Sequence, residues 1–285
     1  MPKKELRKYR FSGESSKRIE EFGIQRVARI ASAPDAAEEP AETPEFTIVA
    51  RTDKGKVRRT NQDMPIVGDR LAGVADGMGG HKGGETASET AANAVIEALR
   101  GETMSEDALR EAIQNANTAV RLKSQTDAAL EGMGTTLTAL WLGENEICLG
   151  HCGDSRCYRY AGGKLEQISD DHSLVMEMVR AGVLTKEQAA VHPMRNVITR
   201  AVGTDEILEV DTKRMPRHKG DLWLCCSDGL SGMVSDEEIA EILSKASSDE
   251  AAADALVAAA LEAGGHDNVT VVLLHDLRGA AESEA

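Results

Sequence analysis

The sequence predicts an α+β fold of layered architecture, on three observations. Short apolar, β-like runs come in series rather than alternating one for one with helices. Helical stretches come in pairs between those series. Gly143-Glu144-Asn145 and Ala161-Gly162-Gly163 join neighbouring runs by connections short enough for hairpins.

The elements follow in order. Residues 1 to about 45 read as a flexible N-terminal extension and linker. The opening MPKKELRKYRFSGESSKR is basic, EEFGIQRVARI has the pattern of a short helix, and ASAPDAAEEPAETPE is an Ala/Pro/Glu linker without the apolar residues to build a core. Over residues 17–30, Ile24, Val27, Ile30 and adjacent arginines give some amphipathic character, so this stretch is either a solvated tail or a dock for a partner or an anionic surface. The folded body spans 46–277, with 278–285 as a C-terminal tail. Strands are expected at 46–51, 64–68, 70–75, 135–142, 146–151, 156–160, 207–213, 221–226 and 268–275. Helices are expected at 84–100, 105–130, 236–244 and 248–262; Leu109, Ile113, Ala116, Val120 and Ala128 recur at helical spacing after a cap signal at Ser105. Residues 171–203 interrupt the strand series with two helical patterns, the second capped by Thr185, and then a polar irregular stretch. Such an insertion reads as a small flap subdomain.

Composition narrows the function. A chain of 285 residues with 41% apolar residues can build a sizeable core. A formal charge of −15 argues against nucleic-acid binding, which needs clustered Lys and Arg, and favours a cationic or metal-bridged partner. No apolar stretch reaches the roughly 20 residues a bilayer span requires, so a cytoplasmic location is the expectation. Cys148, Cys152, Cys157, Cys225 and Cys226 are odd in number and lack zinc-ligand spacing; they read as small core hydrophobes in a reducing compartment.

The chemistry lies where apolar runs meet aspartates. LAGVADGMGG places Asp76 in a Gly-rich turn, ICLGHCGDSR carries Asp154, LWLCCSDG ends at Asp228, and HDNVTVVLL opens at Asp267. Carboxylates at the tips of buried strands are costly unless a cation compensates them. Glycines beside Asp76 let backbone carbonyls approach a hard, oxygen-preferring ion closely. Two oxygen-ligated cations sharing a carboxylate and a water would absorb the charge of three converging aspartates. No G-x-G-x-x-G order supports a dinucleotide site.

These residues carry a family resemblance. GKVRRTNQD (55–63), VADGMGGHKGGETAS (74–88), GMGTTLTAL (132–140), GHCGDSRCYRY (150–160), SDDHSLV (169–175), HPMRNVITRAVG (192–203), CSDGLSGMV (226–234) and GGHDNVTVV (264–272) are similar, in order, to the metal-dependent serine/threonine protein phosphatases of type 2C, the PPM family, in their compact bacterial form. The resemblance implies a four-layer αββα sandwich, two antiparallel sheets flanked by helix pairs. It implies two Mn(II) or Mg(II) ions bridged by Asp76, with Gly77 giving a backbone carbonyl to one of them and Asp228 and Asp267 completing the ion that Asp76 shares. Asp154 corresponds to a weaker third metal site, and Asp63 to a residue behind the ligands that orients metal-bound water. Arg58 matches the phosphate-binding arginine, whose planar fork suits phosphate oxygens; Arg59 next to it would face away in an extended segment.

The implied reaction is direct hydrolysis of phosphoserine and phosphothreonine by a water bridging two metals, without a phosphoenzyme. No cysteine is followed six residues later by an arginine, so the loop of the cysteine phosphatases is missing. Phosphorylated proteins, among them a cognate bacterial kinase of eukaryotic type, are the implied partners of a monomeric enzyme. Several positions depart from the family pattern: Gln62 replaces a common glutamate, Met78 a histidine, and Gly232 an aspartate of the third site. His81 is the bacterial counterpart of the missing histidine, as proton donor or substrate guide or as a plain surface residue. His172, His192 and Arg195 are flap candidates for substrate contact, with structural hydrogen bonding as the alternative for the histidines and, for Arg195 as for Arg200, pairing with the acidic surface. A phosphoprotein-binding pseudophosphatase and a small-molecule phosphoesterase remain the competing readings.

Overall fold

The computed structural model describes residues 25–31, 45–79 and 83–278. The near-continuous apolar runs LWLCC and VTVVLL need cover on both faces, and the layering supplies it. One sheet has the order β1-β2-β12-β11-β8-β9: β1 (Gln25–Ala31), β2 (Phe46–Asp53), β12 (Val269–Asp276), β11 (Leu222–Cys226), β8 (Arg156–Ala161) and β9 (Lys164–Gln167). The other runs β10 (Asp211–Pro216), β7 (Glu146–Cys152), β6 (Leu137–Leu142), β4 (Leu71–Met78) and β3 (Asp63–Val67), with β5 (Gly134–Thr135) paired to the end of β4. Among the described residues, neighbouring strands in both sheets pair antiparallel.

The sheets face each other through Ile48, Val74, Leu140, Leu149, Trp223 and Val272. Outside the second sheet lie α1 (Gly83–Leu99) and α2 (Glu106–Ser124), which bury Ala91, Val95, Ile113 and Val120 against Leu137 and Trp141. Outside the first lie α6 (Asp236–Lys245) and α7 (Asp249–Glu262), which bury Ile239, Leu256 and Val257 against Leu224 and Leu273. The αββα sandwich is therefore observed. Truncating a fully buried residue such as Leu224 to alanine should cost about 2–5 kcal/mol. The flap holds α3 (Leu174–Arg180) and α4 (Lys186–Ala190), the latter with a complete capping box at Thr185. Its neck is closed by Leu174 N–H donating to Val197 O (2.9 Å) and Thr199 N–H donating to His172 O (2.8 Å). Among the described residues, no helix is long and apolar enough to cross a membrane. All five cysteines are free and buried, as expected of core residues.

Several boundaries differ from expectation. Where a helix was expected within 17–30, Gln25–Ala31 is an edge strand on β2, because a sheet edge offers unpaired backbone groups that outweigh a weak helical pattern; the rest of that stretch lies outside the described residues. The helix expected to 130 stops at Ser124, and Asp127 caps a separate 3-10 turn at Ala128–Leu130. The strand expected at 135–142 is cut at Thr136, whose hydroxyl accepts from Asp76 N–H (2.9 Å) and bonds the Ser155 hydroxyl (2.7 Å). The strand expected at 207–213 begins at Asp211, since Leu208 and Val210 are drawn into the core beside α2 rather than onto β7. The short strand β9 alternates exposed and half-buried residues over only four positions, too brief a signal to read.

Candidate metal centre

Antiparallel register brings the first two carboxylates together: Asp63 on β3 lies directly opposite Asp76 on β4, where like charges destabilise. The Asp76 backbone is fixed on both sides. Its N–H donates to Thr136 Oγ1 (2.9 Å), and its carbonyl accepts from Thr136 N–H (2.9 Å) and Thr135 Oγ1 (2.8 Å). At Gly77 a Cβ would lie 2.1 Å from Gly84 O, so only glycine lets the start of α1 pack against β4 there.

The third carboxylate comes from the other sheet. Beyond β11 the chain turns at Ser227 into one helical turn, α5 (Asp228–Ser231), so Asp228 opens a helix rather than ending a strand. Ser227 Oγ donates to Asp63 Oδ2 (2.7 Å) and accepts from Thr270 N–H (2.9 Å), tying Asp63 across the sandwich to β12. Asp267 precedes β12; its Oδ1 accepts from Asn268 N–H (2.8 Å) and its Oδ2 from Arg58 Nη2 (2.6 Å). Asp154 follows Gly153, whose φ of 114° and Cβ clash with Thr136 at 2.6 Å both require glycine.

Arg58 sits in a loop, so the strand alternation expected to separate it from Arg59 does not apply. Asn268 does: its Nδ2 donates to Lys54 O and Thr60 O (2.9 Å each), and its Oδ1 accepts from Gln62 N–H (2.8 Å). That clamp turns Arg58 toward Asp267 while Arg59 lines a cavity on the far side of the loop. Ser227 and Asn268 were missed as positioning residues, although each adjoins a highlighted aspartate in the sequence.

Arg58, Asp76, Gly77, Asp154, Asp228 and Asp267 line one cleft of about 190 Å³, with Asn196 and Ile198 contributed by the flap. A second groove of about 470 Å³ shares Asp154, Asp228 and Asn196 and runs beneath the flap past Arg195 and Gly232. Arg195 thus stands beside the cleft. His172 does not: it is buried, its Nδ1 accepts from Gly153 N–H (3.0 Å), and its Nε2 lies 3.1 Å from Asp211 Oδ2 and from Arg200 Nη1. It braces the Asp154 turn. The Nδ1 of His192 accepts from Met194 N–H (3.1 Å) within the flap. Arg200 pairs with Asp211 and Glu209. His81 lies outside the described residues.

The electrostatics are those of uncompensated charge. Burial pushes Asp76 well above the ordinary carboxylate range, and Asp63 and Asp228 add repulsion. Burial likewise raises Asp63, Asp154 and Asp228, each reinforced by a neighbouring aspartate. Two oxygens in this cluster, Asp63 Oδ1 and Asp228 Oδ1, are buried without a hydrogen-bond partner, a costly state unless something binds them. Among the described residues no three His, Cys, Asp or Glu side chains form a ready metal cage; the donors are spread around the cleft, with Arg58 on Asp267. Hard divalent cations that take oxygen ligands and keep several waters fit such a set.

Likeness to known proteins agrees with this geometry. Residues 60–263 match the family described as protein phosphatase 2C. The serine/threonine phosphatase stp of Listeria monocytogenes is 38% identical over 235 residues, 79% of this chain and 93% of that protein. The crystal structure of the Mycobacterium tuberculosis serine/threonine phosphatase PstP/Ppp superposes with a TM-score of 0.77 at 40% identity, over 82% of this chain and 99% of that one. The catalytic domain of the phosphatase PstP in complex with 2 manganese ions gives a TM-score of 0.76 at 38% identity, with coverage of 82% and 99%. Double sheet, flanking helix pairs and the aspartates gathered at one end of the sandwich thus have one explanation: the chain belongs to the protein phosphatase 2C family.

Proposed function

We propose that the protein hydrolyses phosphoserine and phosphothreonine in other proteins, using divalent cations held by Asp76, the Gly77 carbonyl, Asp228 and Asp267. The carrying observation is a buried aspartate cluster, with the orphaned oxygens of Asp63 and Asp228, facing the guanidinium of Arg58 in one cleft. When bound, a pair of Mn(II) or Mg(II) ions supplies an activated water and neutralises charge developing on the phosphoryl oxygens. Arg58, half exposed and paired with Asp267, can swing its donor fork onto a phosphate. Asp63, fixed by Ser227, stands behind Asp76 and orients what binds there. Asp154 serves a weaker third cation, to which Gly232 itself offers no carboxylate. No thiol competes as nucleophile: burial raises Cys148 to about 11 and Cys152 to about 12, Cys225 is raised by a hydrogen bond with the Cys157 thiol and by burial, and Cys226 chiefly by burial. His81 is retained as the proton-donor candidate, and Arg195 as a substrate contact from the flap. The catalytic unit is residues 46–277 with the flap at about 171–203. It acts as a cytoplasmic monomer on phosphoproteins that include a cognate kinase.

The purified protein should cleave p-nitrophenyl phosphate and a phosphothreonine peptide with Mn(II), and lose both activities in EDTA or as Asp228→Asn. Manganese-loaded protein that binds a phosphopeptide without cleaving it would instead establish a binding module.

A further inference from the structure

A cavity of about 870 Å³, larger than either space described above, lies behind the loop that carries Arg58. The loop is a shared wall. Arg58 and Gln62 line the catalytic cleft, whereas Lys54, Arg59, Thr60 and Asn61 line the cavity. The lining also holds carboxylates. Asp53 ends β2, and Glu85 and Glu89 lie exposed on α1 at i, i+4 spacing, where like charges repel. Asp63, only 7% exposed, adds a carboxylate whose Oδ1 has no hydrogen-bond partner. Four carboxylates thus face the two cations Lys54 and Arg59.

The chain before β1 starts at the rim of this cavity. Gln25 pairs directly with Thr52, a cavity-lining residue, which places their Cα atoms about 5 Å apart. Residues 1–24 carry seven Lys or Arg against four Glu, with all seven cations among the first 18 residues, in a protein whose net charge is −15. Lys17 and Arg18 are separated from Gln25 by few enough residues to reach about 25 Å at most, ample for the cavity. Tethering at the rim gives the segment an effective concentration of about millimolar.

We infer that residues 1–24 dock in cis in this cavity, their basic side chains answering Asp53, Glu85 and Glu89. The docked segment lies against the reverse face of the Arg58 loop and restrains it. This holds whatever reaction the cleft performs.

Zero-length carbodiimide cross-linking of the full-length protein, read by mass spectrometry on the monomer band, tests it. Links from Lys3, Lys4, Lys8 or Lys17 to Asp53, Glu85 or Glu89 are expected, falling at least about fivefold in about 0.5 M salt. Glu85→Gln with Glu89→Gln, both exposed and outside the cleft, should abolish links to those positions and leave the melting temperature unchanged. Reversing Lys3, Lys4, Arg7, Lys8 and Arg10 to Glu should speed hydrogen exchange in residues 54–62 at least about threefold. Links to other surfaces, links only between chains, or unaltered exchange in 54–62 would overturn the inference.

Discussion

Strand β12 has a buried or half-buried carboxylate at each end, and the two ends are solved differently. At its C-terminal end Asp276, 1% exposed, accepts from Arg217 Nε and Arg278 Nη2 at 2.9 Å each. Burial opposes its charge, yet these hydrogen bonds outweigh it and hold Asp276 below its ordinary value. Arg217 is itself fully buried and also donates to Glu45 and to the Gly143 carbonyl. At the N-terminal end, Asp267 joins Asp76, Asp154 and Asp228 in one cleft, with Asp63 opposite Asp76 and the half-exposed Arg58 paired to Asp267. One end is a staple closed by the protein's own arginines; the other is left for something to bind. A buried carboxylate therefore indicates a site only where the fold withholds its counter-charge.

The largest effect expected from this contrast is at the staple. Arg217→Ala leaves Asp276 and Glu45 without their shared partner and should destabilise the protein by about 3–5 kcal/mol, measured by denaturant unfolding; a loss below about 1 kcal/mol would erase the distinction. At the other end the sign should reverse. Asp76→Asn removes a carboxylate that burial makes costly whether charged or protonated, so metal-free protein should melt higher while phosphatase activity falls at least about a hundredfold.

Arg58→Ala should separate binding from stability. Its half-exposed pair with Asp267 is expected to contribute within about 0.5 kcal/mol of nothing to folding. The KM for a phosphopeptide should nonetheless rise about tenfold. The mildest test is pH. In chelator, the folded protein retains protons on Asp228, Asp63 and Asp154 up to about 6, 7 and 8, whereas the unfolded chain gives them up near 3.8. Unfolding then releases protons, so stability falls as pH rises through that window. Thermal midpoints should drop by about 4 °C or more from about pH 5 to about pH 8, and saturating Mn(II) should remove the trend. Asp276 works in the opposite sense, its contribution being lost only as pH falls through its lowered value.

Much of this was legible because it is written locally. The period of apolar residues marked the central strands and the helix pairs, and the Thr185 and Ser105 caps are short-range hydrogen bonds whose partners lie within a few residues. Local pattern misled where a distant partner competes. Gln25–Ala31 takes its strand form from β2, and Thr136 leaves the strand series to serve Asp76 and Ser155.

The sequence by itself determined the layered α+β class, the aspartates and the family, since strand tips and residue chemistry are read along the chain. Only the tertiary structure decided which carboxylates remain uncompensated, that Asn268 rather than strand alternation aims Arg58, and that His172 is buried against the Asp154 turn. The physical reason is long-range. Desolvation and pairing depend on groups more than a hundred residues apart, such as Arg58 with Asp267 or Ser227 with Asp63, which only the closed sandwich brings within hydrogen-bonding distance.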